Sequence, residues 1–529
     1  MKKISVFILI CGILYVSCTQ KEDEKKVSQR DYSINKSNSY SDLFLDSMKM
    51  EKFLADENLN DSIANHFRSF YNNRNYEFAW FNSKGLTQQA LAFWNLHQYN
   101  SIGKKDSLSN DKKLKSEMDD LMEDDSVKIS EDDADAVKTE LKLTLRYLHY
   151  MNDSYEEGTI NKKQLAHFIP IKKQDLFYVA DSLLKTDGEL EASNQPYTLL
   201  KQQLKQYVDI SKKGGWPMID SVSKTLKKGV SNAAIPVIKK RLSITGQMPA
   251  GDTSTLFNDT LENGVKSFQT MLGLTPDGLV TESLIKEMNV PVNKRIEQII
   301  INLDRQRWMP TEPKGKLIIV NIPEFKLHVT DNGKEIFDMD VVVGKEGHGT
   351  TIFTGNLNEI VFSPYWNIPR SIVKNEVLPG IEKNPNYLAE HHMEETGDAG
   401  GIPEVRQIPG PWNSLGRVKF LFPNSFDIYF HDTNAKYLFN KDNRAYSHGC
   451  IRLSDPVKMA EFLLQDQPDW TREKIEAAMN KMEPTHVALK DKVPVFITYF
   501  TAWVDDNNQL NFRRDIYDHD ADLASWMFK

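Results

Sequence analysis

The spacing of apolar residues changes character along the chain. Over residues 41–234 apolar side chains recur every three or four positions, as in "SYSDLFLDSMKMEKFL" and "KTELKLTLRYLHYMNDSY", which predicts amphipathic helices. Over residues 235–290 the helical spacing continues in shorter pieces. Leu261, Val265, Phe268 and Leu272 share one helix face, Gly273 closes that helix, and "TPDG" turns the chain. Thr281 then caps a further helix carrying Leu284, Ile285 and Met288. A linking helix over 291–313 follows. From about residue 314 the spacing becomes two. "KLIIVNIPEFKLHVT" and "KEIFDMDVVVG" alternate, and "DNG" (Asp331 to Gly333) joins them as a hairpin turn. "NEIVFSPYWNIP" and "RVKFLFPNSFDIYFHD" add strands, and "PVFITYFTAWV" and "QLNFRRDIY" form a last hairpin. "SDPVKMAEFLLQ" reads as a helix with Ser454 as its cap and Pro456 in its first turn. Residues 371–416 break the pattern as an irregular, partly helical insertion. The chain is therefore read as α+β and multi-domain. It has a helical scaffold over 41–234, a small three-helix domain over 235–290, the linking helix, and a β-rich, sandwich-like domain over 314–520 with a cap at 371–416.

Composition narrows the function. A chain of 529 residues exceeds one core, and 40% hydrophobic with 26% charged residues is ordinary for globular protein. A formal net charge of -8 argues against a nucleic-acid partner. The charged stretch 103–138 lacks the Asp-x-Asp-x-Asp-Gly spacing and distal Glu of a calcium loop and reads as a solvated face. The aromatic run Phe70 to Phe81 reads as core. At the N-terminus, Lys2 and Lys3 precede the apolar run Ile4 to Val16, which is too short to span a membrane comfortably and has the proportions of a signal-peptide core. "LYVSC" then gives way to "TQKEDEKK". Ser17 before Cys18 resembles a bacterial lipobox, although Tyr15 stands where Leu is usual. That resemblance implies loss of residues 1–17, lipidation of Cys18, a flexible tether over 18–40, and anchorage on the extracytoplasmic side. An ordinary signal peptide is the alternative.

Of the three cysteines, Cys11 falls in the signal core and Cys18 in the lipobox, which leaves Cys450 without a disulfide partner. It lies in "YFHDTNAKYLFNKDNRAYSHGCIRLSDP", directly after Ser447, His448 and Gly449. One Cys with His431 and His448 is short of a zinc set, so no metal and no cofactor is expected. An inert buried thiol would be ordinary. The polar turn and the nearby helix start favour a nucleophile instead. Gly449 permits an unusual backbone, and amides around Cys450 are available to an oxyanion. A thiol nucleophile needs a base. His431 ends the strand "FDIYFH", where alternation puts Tyr429 and His431 on one side and Ile428 and Phe430 on the other. This makes His431 the better base and His448 a structural or substrate-facing residue.

Two segments resemble known families. "TLENGVKSFQTMLGLTPDGLVTESLIKEMN" resembles the small helical peptidoglycan-binding domain. "HDTNAKYLFNKDNRAYSHGCIRL" resembles the L,D-transpeptidase catalytic domain, also called the YkuD domain, in its upstream His431 and its Ser447-His448-Gly449-Cys450-Ile451-Arg452 run. "VVVGK", "SPYWNIP" and "GPWNSLGRVKFLFPNS" extend that resemblance over 314–520. It implies that Cys450 attacks the diaminopimelate carbonyl of a tetrapeptide stem and releases D-Ala. The thioester then passes to the diaminopimelate amine of a second stem, giving a 3→3 crosslink. It further implies that the Asp432 carbonyl orients His431, and that Gly449, Cys450 and the Tyr429 hydroxyl stabilise the oxyanion. Ser447, His448 and Arg452 would lie toward the substrate, with Arg452 either holding a carboxylate or bracing the loop. Trp366 and Asn367 would line the cleft, with core packing the alternative for Trp366. The cap would act as a lid, and carbapenems would acylate Cys450. Hydrolysis of the same thioester, transfer to a D-amino acid or a protein, and a non-catalytic wall tether are the competing readings. The complete Cys–His signature stands against the last.

Overall fold

The computed structural model describes residues 27–100, 111–123, 128–156, 169–185, 194–310, 312–347, 349–398 and 400–529. The signal-like segment, Cys18, the first part of the tether and parts of the charged stretch lie outside the described residues. Residues 28–40 are packed and do not behave as a free tether. Ile34 and Tyr40 are buried, and the Ser28 amide donates to Ser69 Oγ at 3.1 Å. Two apolar anchors suffice to pin a stretch whose average composition is hydrophilic.

The aromatic run folds inward as core. Phe78, Trp80 and Phe81 pack with Phe67, Phe93 and Tyr147 of the surrounding helices, above a short hairpin of β1 (Phe81–Asn82) and β2 (Gly85–Leu86). A second core gathers Ala180 and Leu183 of helix Leu176–Lys185 with helix Gln195–Lys212. It runs through the three short helices Ile235–Ile244, Asp259–Met271 and Glu282–Met288 into the linking helix Val292–Arg307. Asn258 and Thr281 cap the second and third of those short helices, accepting from the amides of Leu261 and Leu284. Leu261, Val265 and Phe268 are buried together, as the spacing required. Gly273 has φ +67° and lies against the Arg513 guanidinium, so a Cβ there would be doubly penalised. The three helices do not form a separate core: Ile238 and Phe268 share one with Leu204, Ile296 and the chain's last segment.

The β-rich part contains β3 (Lys316–Asn321), β4 (Lys326–Asp331), β5 (Lys334–Gly344), β6 (Thr354–Phe362), β7 (Trp366–Asn367), β8 (Met393–Asp398), β9 (Pro403–Gln407), β10 (Val418–Leu421), β11 (Phe430–His431), β12 (Ala445–Ser447), β13 (Ile451–Leu453) and β14 (Thr485–Thr498). Nine of these form one mixed sheet in the order β12-β5-β13-β11-β10-β6-β14-β3-β4. Because β4 also pairs with β5, the sheet closes on itself. The β-rich domain expected from the sequence is thus built on a sheet closed through β4 and β5. The 11-residue β5 makes closure possible, pairing with β4 over Lys334–Asp340 and with β13 at Val341 and Val342. Ile318, Val341, Ile360, Phe420, Phe430, Ile451 and Val495 fill its interior. The β4–β5 turn has positive φ at Asn332 and Gly333, as a tight hairpin demands. Helix Pro456–Leu464 is capped by Asp455, one residue beyond the expected Ser454.

Two boundaries differ from the sequence reading. The insertion is not irregular: β7, β9 and β8 form a three-stranded sheet over Ile368, Val373, Val377 and Val405, so the cap begins by Trp366 rather than at 371. The terminal hairpin, β15 (Ala502–Val504) with β16 (Leu510–Phe512), leaves the nine-stranded sheet. Ala502, Phe512 and Leu523 join the helical core instead.

One ion cluster fixes the β4–β5 corner. His328 lies 3.1 Å from Glu324 and 2.8 Å from Glu335. Burial alone would lower its pKa, but the two carboxylates outweigh burial and hold it at about 9. A raised folded-state pKa stabilises fully below about pH 6.5 and is lost as pH rises through about 9. Thermal denaturation of His328→Gln against the native chain should therefore show its largest Tm deficit at pH 6. By pH 10 the deficit should have closed.

Candidate active site

Three adjacent short strands build the site. β10 and β11 are antiparallel with Lys419 opposite His431, and β11 and β13 are parallel with His431 beside Arg452. Directly paired residues point to the same face of a sheet. Lys419, His431 and Arg452 therefore form one row, with Tyr429 and Cys450 one pleat further back on that face. The alternate residues Phe420, Phe430 and Ile451 are fully buried in the closed sheet's interior. Burial of this apolar row fixes the register, and the register aims the polar row outward.

Cys450 is half-buried. Its Sγ lies 3.5 Å from the Asp427 carbonyl, and the amide and hydroxyl of Tyr429 also bond it. Burial pushes the thiol up to about 11, against the two Tyr429 donors, which favour thiolate. His431 is buried, and its Nδ1 donates to the Asp432 carbonyl at 2.5 Å. A carbonyl only accepts, so Nδ1 carries the proton and Nε2 keeps its lone pair. Burial and then the Arg452 charge pull the imidazole down to about 3, against the Asp432 and Leu415 carbonyls. At neutral pH both thiol and imidazole are uncharged. They occupy one face of neighbouring strands, and in this structure each bonds to other groups.

Asp432 is held in turn. Its carboxylate accepts from the Arg417 amide at 2.9 Å and from Lys436 Nζ at 2.6 Å. Gly416, at φ +64°, packs so tightly on that carboxylate that a Cβ would overlap it. Gly416→Ala should cost about 1–3 kcal/mol through backbone strain and this clash. Chemical denaturation would measure that loss, and displacement of Asp432 should carry His431 with it.

The loop before β13 departs from expectation at two residues. Ser447 is buried: its Oγ donates to the Cys450 carbonyl at 2.6 Å and accepts the Gly449 amide at 3.1 Å. Ser447 thus clamps the loop instead of facing substrate, and the Gly449 amide is engaged within the loop rather than aimed at an oxyanion. The Gly449 carbonyl accepts from Thr350 Oγ1 at 2.7 Å, and Gly449 itself needs its φ of +116°. The Tyr517 hydroxyl closes the brace, donating to the Gly344 carbonyl and accepting from the Thr350 amide. His448 is exposed and points to the cap, with Nε2 3.6 Å from Glu376. Trp366 packs on the cap's own core, and exposed Asn367 pairs in register with Arg406. Among the described residues no group of three or more His, Cys, Asp or Glu is arranged to hold a metal ion. Sequence reasoning missed Lys419, Thr350 and Tyr517. Only Lys419 left a signal, as the cation inside the apolar strand "VKFL".

Comparison with known proteins agrees with this architecture. Residues 315–497 match the family model of the L,D-transpeptidase catalytic domain, and residues 65–204 match a scaffold domain. The chain thus carries a YkuD catalytic domain behind a helical scaffold. It is 31% identical over 255 residues to the "Putative L,D-transpeptidase" of Haemophilus influenzae, covering 45% of this chain. The chain spans about half the length of that curated relative, 51%. Solved L,D-transpeptidases from Mycobacterium smegmatis and Stackebrandtia nassauensis are 14% and 12% identical. They cover 35% and 53% of this chain, and 58% and 98% of their own, with TM-scores of 0.20 and 0.22. Nothing further rests on likenesses of that size.

Proposed function

We propose that the chain is a cysteine-dependent L,D-transpeptidase that forms 3→3 crosslinks between diaminopimelate residues of peptidoglycan stems. The observation that carries this reading is the placement of Cys450 and His431 on one face of adjacent strands, with the proton of His431 fixed on Nδ1. Nε2 is then free to take the thiol proton once Sγ turns from the Asp427 carbonyl. The thiolate attacks the carbonyl carbon of the donor bond. The Cys450 amide and the Tyr429 hydroxyl are the donors left for the oxyanion, since the Gly449 amide is bonded to Ser447. Collapse of the intermediate breaks the C–N bond, and His431 returns the proton to the departing D-Ala amine. In the second half-reaction His431 takes a proton from the acceptor amine as it attacks the thioester, and returns it to the thiolate. The cap, which meets the catalytic loop at Glu376 and His448, would keep water from competing with that amine. Residues 235–290 would hold the enzyme to the wall, and lipidation at Cys18 would hold it to an extracytoplasmic membrane surface.

The test is product analysis. Purified protein with disaccharide tetrapeptides should yield, by mass spectrometry, dimers joined between diaminopimelates together with free D-Ala. Tripeptides alone would identify hydrolysis, and unchanged substrate with reduced, intact Cys450 would overturn the enzymatic reading.

A further inference from the structure

The resting thiol is held by a loop that the scaffold holds in turn. Cys450 Sγ donates to the Asp427 carbonyl at 3.5 Å, and Asp427 lies in the loop between β10 and β11. Its φ is +52°, a left-handed backbone that a residue with a Cβ keeps only where its surroundings over-determine it. Two sets of contacts do so. Within the loop, the Asn424 carboxamide accepts from the Phe426 and Ile428 amides at 3.0 and 3.2 Å. It donates to the Phe422 and Ile428 carbonyls, both at 2.7 Å. This knot ties the loop into one unit, so a displacement at Ser425 or Phe426 is passed on to Asp427. The second set comes from the scaffold helix Lys112–Glu123. Ser425 Oγ donates to the Asp119 carboxylate at 2.5 Å, and Lys115 Nζ donates to that Oγ at 3.3 Å. Beside it, the Phe426 ring packs on two cores at once. It meets Phe353 of the closed sheet, with ring centroids 5.2 Å apart, and the aromatic core of the scaffold. The next residue carries the carbonyl that holds the thiol.

This contact has a chemical consequence. A carbonyl only accepts, so it bonds the protonated thiol and not the thiolate. Burial is the main reason the thiol is pushed up, and the Asp427 charge adds to it. The same bond turns Sγ toward Asp427 and away from His431.

We propose that Asp119, Ser425 and Phe426 are positioning residues through which the scaffold domain holds the Cys450 thiol on the Asp427 carbonyl, a resting position that Sγ must leave before His431 can take its proton. This rests on the transpeptidase reading for the role of Cys450. It adds a control on the nucleophile from outside the catalytic domain, since Asp119 lies within the scaffold match at 65–204 and Cys450 within the catalytic match at 315–497. A shift of the scaffold against this loop releases Sγ toward His431.

The test is the rate at which neutral iodoacetamide alkylates Cys450 in the full chain at fixed pH, read by peptide mass spectrometry. Alkylation needs no crosslinking, so it fails separately from the proposed function. Asp119→Ala removes the scaffold's acceptor and leaves the catalytic domain's sequence intact. It should raise the rate about fivefold, the scale of one hydrogen bond. Asp119→Asn, which keeps an acceptor for Ser425, should stay near the native rate. Ser425→Ala should give a similar rise, and adding Asp119→Ala to it should give little more, because both changes break one contact. Phe426→Ala should raise the rate further, and Phe426→Leu should restore most of the hold. Tyr99→Ala is the control. Tyr99 packs edge-on against Phe496, 5.3 Å between centroids, at another point of contact between scaffold and sheet. This variant should lower the melting temperature and leave the alkylation rate unchanged. If Phe426→Ala does not fold, the Asp119 and Ser425 variants carry the test. A rate unchanged or lowered in both overturns the proposal, and so does an equal rise in Tyr99→Ala, which would mark general loosening. A rise confined to the loop contacts, in a protein that forms no crosslinks, keeps the positioning role and overturns only the proposed function.

Discussion

Cys450→Ala is expected to lower transpeptidation by roughly 10³-fold or more, the scale on which nucleophile deletions act. Among the described residues Cys450 is the free cysteine. The oxyanion donors alone would leave only weak residual rate. The fold should survive, since the loop around Cys450 is held by Ser447, Thr350 and Tyr517 through backbone groups that alanine retains. Crosslinked dimers quantified by mass spectrometry, beside a melting curve close to the native one, would check both halves. Native-level dimer formation by the variant would exclude the thioester route.

His431→Ala is expected to cost about 10²–10⁴-fold, the usual contribution of a positioned acid–base group. The direction of the pKa shifts gives this variant a second readout. The native imidazole stays neutral above about pH 3 and the thiol stays protonated until about pH 11. The resting pair is therefore two neutral groups, and thiolate is made during the reaction. Cys450 alkylation in the native chain should keep rising with pH toward about 11, with no plateau near neutrality. In His431→Ala, turnover should gain a steeper dependence on pH, because hydroxide must replace the missing base. A plateau of alkylation below pH 7 would instead indicate a preformed thiolate–imidazolium pair.

The candidate pair Cys450 and His431 was legible because local chemistry singles it out. Strand alternation put Tyr429 and His431 on one side of "FDIYFH", and the lone Cys450 in a Ser-His-Gly-Cys turn asked for a base. The Asp432 carbonyl was implied by the resemblance and lies where the imidazole needs it. Ser447 and Gly449 were misread for one reason: a side-chain hydroxyl and a backbone amide, three and one residues from the thiol, satisfy each other within the loop. Sequence shows that both groups exist and not which partner each takes. For Trp366 the sequence left cleft and core open, because an aromatic beside a cleft and one in a small neighbouring core have the same local pattern, and it packs on the cap's core.

The sequence by itself determined the broad division into helical and strand segments outside the insertion, the turn at Asn332 and Gly333, and the cap at Thr281. These depend on contacts between residues a few positions apart, where spacing is distance. It also singled out Cys450 and His431 as a candidate nucleophile and base, since chemistry restricts the residue types able to serve. Tertiary structure alone decided the closure of the sheet through β4 and β5, and the departure of β15 and β16 into the helical core. It alone brought Lys419 and Arg452 to either side of His431. Each of these depends on register between strands far apart in the chain. That register is set by how the buried faces of Phe420, Phe430 and Ile451 interlock, which no local pattern encodes.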